Sequence, residues 1–213
     1  MNWSCCWRRR CADAHAMNAL PTPRLWLVRH ARPLVEPGIC YGRLDMEADA
    51  QATADAAQAL HIALPADCRM LHSPLRRCSQ LARALQALRP GLASQADGRL
   101  LEMDFGHWEG QPWEALDRSA IDAWAADLAR HAPGRGESLA AMLRRVDEAL
   151  QQVRMYSKDD DAGRDIVWIT HAGVARCVQW LMREGNALPQ AAQWTLPAPD
   201  FGGWLVLELQ PPH

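Results

Sequence analysis

Two short apolar runs in this chain end in a polar residue and then a histidine: Arg24-Leu-Trp-Leu-Val-Arg29 before His30, and Asp165-Ile-Val-Trp-Ile-Thr170 before His171. An imidazole can attack an electrophile or carry a proton at neutral pH. Other segments offer groups that could work with them. Arg29 adjoins the first histidine, and Arg77 closes the segment Ser73-Pro-Leu-Arg-Arg77. Guanidinium forks suit phosphate or carboxylate oxygens, and Glu102 can act as an acid or a base. Each residue alone also has a plain structural role. A lone buried histidine is usually a satisfied core residue, Arg77 suits a helix surface, and Glu102 suits an exposed loop. The combination of these residues and their order along the chain, not any one of them, points to a catalytic site.

These side chains need a scaffold that brings strand ends together. The runs at 24–29 and 165–170 are apolar enough for strands buried on both faces. Arg69–His72 reads as a third strand, with Ser73 as cap and Pro74 as first residue of a helix running to about Leu88. Arg99–Leu101 reads as an edge strand and Gly203–Leu209 as the closing one. Helices are expected over Glu47–Leu60, Pro112–Leu128, Glu137–Tyr156 and Gly173–Arg183, and loops over His30–Asp45 and Lys158–Asp161. Alternating strands and helices predict a three-layer α/β/α sandwich with a mostly parallel central sheet. Such sheets bind ligands beyond the carboxyl ends of their strands, where His30, Ser73–Arg77, Glu102 and His171 all fall.

The chain has 213 residues, 49% of them hydrophobic, enough for one substantial core. A formal net charge of −2 gives no support to nucleic-acid or membrane-surface binding. No apolar run reaches the roughly 20 residues that span a bilayer. The seven cysteines, at 5, 6, 11, 40, 68, 78 and 177, contain no Cys-x-x-Cys pair, so neither a zinc ribbon nor a disulfide framework is indicated and a cytoplasmic setting is expected. Residues 1–22 carry a basic cluster, Arg8–Arg10, without an apolar segment after it, and read as a disordered extension to a domain over 23–213. Met17 is an alternative start.

Over Arg24–Leu209 the chain resembles the histidine phosphatase superfamily, the phosphoglycerate-mutase-like fold. The likeness is carried by Arg29-His30-Ala31, Ser73-Pro-Leu-Arg-Arg77, Leu101-Glu-Met-Asp-Phe-Gly-His-Trp-Glu-Gly110 and Thr170-His-Ala-Gly-Val174. Phe105-Gly-His-Trp-Glu109 and Gly136-Glu-Ser138 look most like bacterial α-ribazole phosphatases of cobalamin assembly. Three departures stand out: Ala31 for the usual glycine with Arg32-Pro33 after it, Glu36 where an asparagine often binds phosphoryl oxygens, and Ala-Asp-Ala-Gln-Ala for the usual Leu-Thr-x-x-Gly. Glu36 is expected to turn away from a dianionic phosphate, or to be offset by Arg32.

The resemblance implies a phosphomonoesterase in which neutral His30, held at one nitrogen by a backbone hydrogen bond, attacks phosphorus with the other. Arg29, Arg77 and a protonated His171 would neutralise the phosphoryl oxygens, and Glu102 would exchange the leaving-group and water protons. Arg32 and Ala172 would add substrate contacts. No metal or other cofactor is implied. The expected partner is a small phosphate monoester, with a homodimer kept in view. Trp108 and Glu109 are candidates for the substrate entrance, or for packing. A phosphoglycerate-type mutase and a non-catalytic phosphoryl-binding scaffold are the competing readings; the chain has little spare length for a mutase's closing segments, and retention of both histidines, both arginines and Glu102 disfavours a scaffold.

Overall fold

In a computed structural model of the protein, residues 22–156 and 163–209 are described. The expected N-terminal extension and the loop at 158–161 lie outside the described residues, apart from residue 22 itself. Five strands form one sheet in the order β3-β2-β4-β1-β5. They are β1 (Arg24–Arg29), β2 (Cys68–His72), β3 (Ser94–Ala96), β4 (Asp165–Thr170) and β5 (Trp204–Glu208). Strands β1, β2, β3 and β4 pair in parallel, and β5 runs antiparallel on the outer side of β1.

The period-two side-chain alternation of strands explains the two cores. Leu25, Leu27, Ile166 and Trp168 face α4 (Leu139–Tyr156) and α5 (Ala172–Glu184). Trp26, Val28, Val167 and Ile169 face α1 (Ala50–Ala63) and α2 (Arg76–Leu88) on the other side. Both faces of β1 and β4 are thus covered, which is why their sequences are continuous apolar runs. Helix α3 (Arg118–Ala126) packs its Trp124 with Phe105, Trp108 and Trp113 in a small separate aromatic cluster.

Asp165 pins the register of the two strands that carry the histidines. Its carboxylate accepts the Arg24 backbone N–H at 3.0 Å, Arg24 Nε–H at 3.0 Å and Trp26 Nε1–H at 2.8 Å. At the far end the His30 N–H donates to Thr170 O at 3.1 Å. Removing the Asp165 carboxylate would leave the half-buried donors unpaired, at about 1–3 kcal/mol for each one that stays out of water.

Four sequence expectations need correction. Arg99–Leu101 is not an edge strand: Gly98–Leu100 is a 3₁₀ turn, closed by Asp97 accepting Arg99 N–H at 2.9 Å, and the edge strand is the short β3 before it. Glu102 therefore follows a turn. Ser73 does not cap α2, which begins at Arg76 after an uncapped Leu75. Its hydroxyl is used elsewhere. The expected helix over 112–128 is broken into a 3₁₀ turn at Trp113–Ala115 and α3, because Asp117 turns back to cap Ser119 N–H at 3.0 Å. Helix α1 starts at Ala50, behind the capping side chain of Asp49, which accepts Ala52 N–H at 2.7 Å.

Candidate active site

The carboxyl ends of β1, β4 and β2 lie side by side and deliver His30, His171 and Ser73 to one edge of the sheet. The imidazoles of His30 and His171 meet edge to face, centroids 5.1 Å apart at 61°. His30 Nδ1 lies 2.7 Å from Ala31 O. A carbonyl only accepts, so Nδ1 carries the proton and Nε2 keeps its lone pair. That lone pair accepts Arg77 Nε–H at 3.3 Å. Ala31, the departure from the glycine of the resemblance, is buried and supplies this carbonyl.

Burial is the largest influence on His30 and the nearby Arg77 guanidinium adds to it, lowering its pKa to about 3. His171, fully enclosed, is likewise held well below the ordinary histidine value by burial first, then by Arg77 and His30. Both imidazoles are thereby held in the neutral form. Three guanidinium groups, those of Arg77, Arg145 and Arg29, disfavour a further cation at His171 in the free protein; the expected protonated form concerns the site with phosphate bound. His171 Nε2 is hydrogen-bonded with the Ser73 hydroxyl at 2.8 Å.

Arg77 has no solvent exposure and every group of its side chain is placed. Besides His30 it donates to Leu44 O at 2.8 Å and Gly42 O at 2.6 Å. Arg29 donates to Pro199 O at 3.1 Å, and its guanidinium lies 3.7 Å from the ring centroid of Phe201. Its Nε–H is buried with no partner, a donor that an anion's oxygen would satisfy. Glu102 is held at both oxygens by backbone, Met103 N–H on Oε1 and Gly173 N–H on Oε2, each at 3.0 Å.

A cavity of about 520 Å³ opens above these groups. Arg29, His30, Arg77, Glu102 and Ala172 line it, as the sequence placed them, while His171 sits enclosed beside His30. Arg32 does not join them. It is exposed, because the chain turns away at Pro33, which bridges to Ala48. Glu36 is exposed too and leaves the pocket free of its charge. Trp108 is buried in the aromatic cluster and Glu109 binds the backbone N–H groups of Arg43, Leu44 and Phe105, so neither forms the entrance.

The remaining wall is largely aromatic and aliphatic: Phe105, Trp113, Trp124, Trp194, Leu139 and Met142 among others. Tyr41 and Arg176 also line the cavity and were missed. Arg176 had a signal, since it stands one helical turn after Ala172 and shares its face. Tyr41 had none, lying in an irregular loop. Among the described residues, no group of three or more His, Cys, Asp or Glu side chains is placed to hold a metal ion, and no helix is long and apolar enough to cross a membrane.

A phosphoryl-binding pocket beyond the strand ends of a mostly parallel sheet is the class of site these residues build. The chain belongs to the histidine phosphatase superfamily (branch 1), whose model matches residues 25–211. Solved structures agree. The mycobacterial glucosyl-3-phosphoglycerate phosphatase is 27% identical at a TM-score of 0.70, covering 86% of this chain and 89% of its own. Its complex with inorganic phosphate matches at 26% identity and 0.69, covering 87% and 89%. The α-ribazole phosphatase from Shigella flexneri is 26% identical at 0.72, covering 86% and 89%. A comparison with curated proteins gives no significant match. The protein is a phosphatase of this family, acting on a small phosphorylated metabolite.

Proposed function

We propose that the protein hydrolyses phosphate monoesters through a phosphohistidine on His30. The observation that carries this reading is the Nδ1–H bond to Ala31 O, which fixes the tautomer and leaves Nε2 as a neutral nucleophile at the cavity floor. In the first step Nε2 forms a bond to phosphorus as the ester P–O bond breaks, and Glu102 gives a proton to the departing oxygen. In the second, water attacks phosphorus, the P–N bond breaks, and Glu102 takes the water's proton. Arg29 and Arg77 neutralise the equatorial oxygens throughout, an electrostatic role that carries most of phosphoryl-transfer catalysis. His171, buttressed by Ser73, becomes protonated only when the phosphate dianion is in place.

For the natural substrate we propose α-ribazole 5′-phosphate. The cavity far exceeds a phosphate, and its wall offers indole and phenyl faces with few uncharged polar side chains. A flat, largely apolar ring system suits such a wall better than a polyol. Phosphate release measured over a panel containing α-ribazole 5′-phosphate and glucosyl-3-phosphoglycerate tests this. The former should show the higher kcat/KM, and preference for the latter would overturn the assignment. Because Glu102 is the one carboxyl group among the described residues lining the cavity, activity should survive treatment with a chelator; a loss restored by added metal would point to different chemistry.

A further inference from the structure

Two segments singled out by the sequence, Phe105–Glu109 and Gly136–Ser138, place no polar side chain on the charged floor of the cavity. What they do instead converges on one residue, Arg145 of α4. Its side chain is largely buried, at 14% exposure, and so is that of Glu137, at 11%. Nε–H donates to Glu137 Oε1 at 2.8 Å and Nη2–H to Oε2 at 2.7 Å. Nη1 donates to both Arg99 O and Leu101 O at 2.7 Å, and Nη2 donates also to Glu102 O at 3.2 Å. These five contacts match the five N–H donors of a guanidinium. Three of them grip backbone carbonyls of the segment that ends in Glu102.

Glu137 is itself held in place. Its N–H donates to Asp104 O at 2.8 Å, and Arg43 approaches its carboxylate at 3.4 Å. The neighbouring Gly136 is obligatory there, since a Cβ would lie 2.1 Å from Asp104 O. Glu109, from the other motif, fixes the backbone of Arg43 and Leu44, whose neighbouring carbonyls hold Arg77. The two motifs therefore brace the proton-donor segment and the phosphate-binding arginine in one network.

We propose that Arg145, oriented by Glu137, is the positioning residue for Glu102. The inference rests on the assignment of Glu102 as proton donor. Arg145 fixes the main chain of Glu102, while Gly173 and Met103 fix its carboxylate. Loosening the main chain moves the acid relative to the leaving oxygen, while His30 keeps its bond to Ala31 O and Arg77 its bonds to Gly42 O and Leu44 O. A misplacement of about 1 Å can cost about 10²-fold in rate. Lysine keeps the charge but cannot reproduce a planar five-donor fork.

The test compares wild type, Arg145→Lys, Glu102→Gln and the double variant on an alkyl phosphate and on nitrophenyl phosphate. A nitrophenolate leaves unprotonated; an alkoxide does not. Arg145→Lys should lower kcat for the alkyl ester by about 10- to 100-fold with KM nearly unchanged. The nitrophenol burst should keep its rate, and the double variant should be no slower than Glu102→Gln alone. Equal losses on both esters, or losses that multiply in the double variant, would show a merely structural role and overturn the proposal. If Glu102→Gln itself loses equally on both esters, the proton-donor assignment fails and this inference with it. Should Arg145→Lys not fold, Glu137→Gln keeps one of the two acceptors that Arg145 uses and decides the matter: a smaller loss confined to the alkyl ester supports the proposal, and none overturns it.

Discussion

At the scale of single residues, the site works by removing choices. His30 has one tautomer because its Nδ1 proton faces a carbonyl, and its free nitrogen already faces the guanidinium that would meet phosphate. Arg77 shows the same economy, with Nε on the nucleophile and both terminal nitrogens on the 42–44 loop. Arg77→Lys should therefore lose the fork as well as one donor to the phosphoryl group, lowering kcat/KM by about 10²–10³-fold, the usual cost of removing one preorganised stabilising group. Steady-state kinetics on nitrophenyl phosphate checks this, and a loss under threefold would mean that Arg29 alone carries the charge. Sequence made His30, Arg29, Arg77 and Glu102 legible because each stands in a recognisable motif at the boundary of an element. It could not show Ser73 as the partner of His171, since a serine before a proline reads equally well as a helix cap.

At the scale of elements, the start of α5 contributes more than its first turn. Gly173 N–H holds Glu102, and a Cβ at this position would lie 2.1 Å from Glu102 Oε1. The obstructing atom is the end of a flexible side chain, so Gly173→Ala should displace the carboxylate without opening the fold. Alanine also suits a helix better than glycine by roughly 1 kcal/mol. We expect a thermal midpoint unchanged or raised, with alkyl phosphate turnover down at least about tenfold, short of the ~10²–10⁴-fold cost of losing general acid catalysis altogether. Calorimetry paired with turnover would detect the split, and a variant of wild-type activity would show that Glu102 does not need this anchor. Strands β1 and β4 and helix α4 were legible because their apolar patterns are unbroken. The edge strand β3 was not: it is three polar or small residues, while the more apolar Arg99–Leu101 is folded into a turn by Asp97. Arg145 was equally hidden, since Arg144-Arg145 on an amphipathic helix looks like ordinary solvated charge.

At the scale of the whole molecule, enclosing two neutral histidines makes stability depend on pH. The folded state keeps His30 unprotonated down to about 3, whereas an unfolded chain takes up a proton near the ordinary value of about 6.5. Between these values the unfolded state binds more protons, so stability falls as pH drops from about 6.5 toward about 3; above about 6.5 the group contributes no penalty. His171 acts in the same direction. Thermal midpoints measured from pH 7.5 to 4.5 should drop, and drop less in His30→Gln, which has one fewer site to titrate. Identical slopes for the two proteins would contradict burial of a neutral His30. The same enclosure serves chemistry, because His30 remains an unprotonated nucleophile in mildly acidic solution.

The central claim is that phosphate passes through His30. Mixing the enzyme with radiolabelled phosphate ester and quenching during turnover should trap label on the protein. That label should be lost in acid and kept in base, as expected for a P–N bond, and it should map to His30. It should be missing from His30→Ala, which should also fail to turn over. Label on another residue, or ordinary turnover by pure His30→Ala protein, would contradict the account.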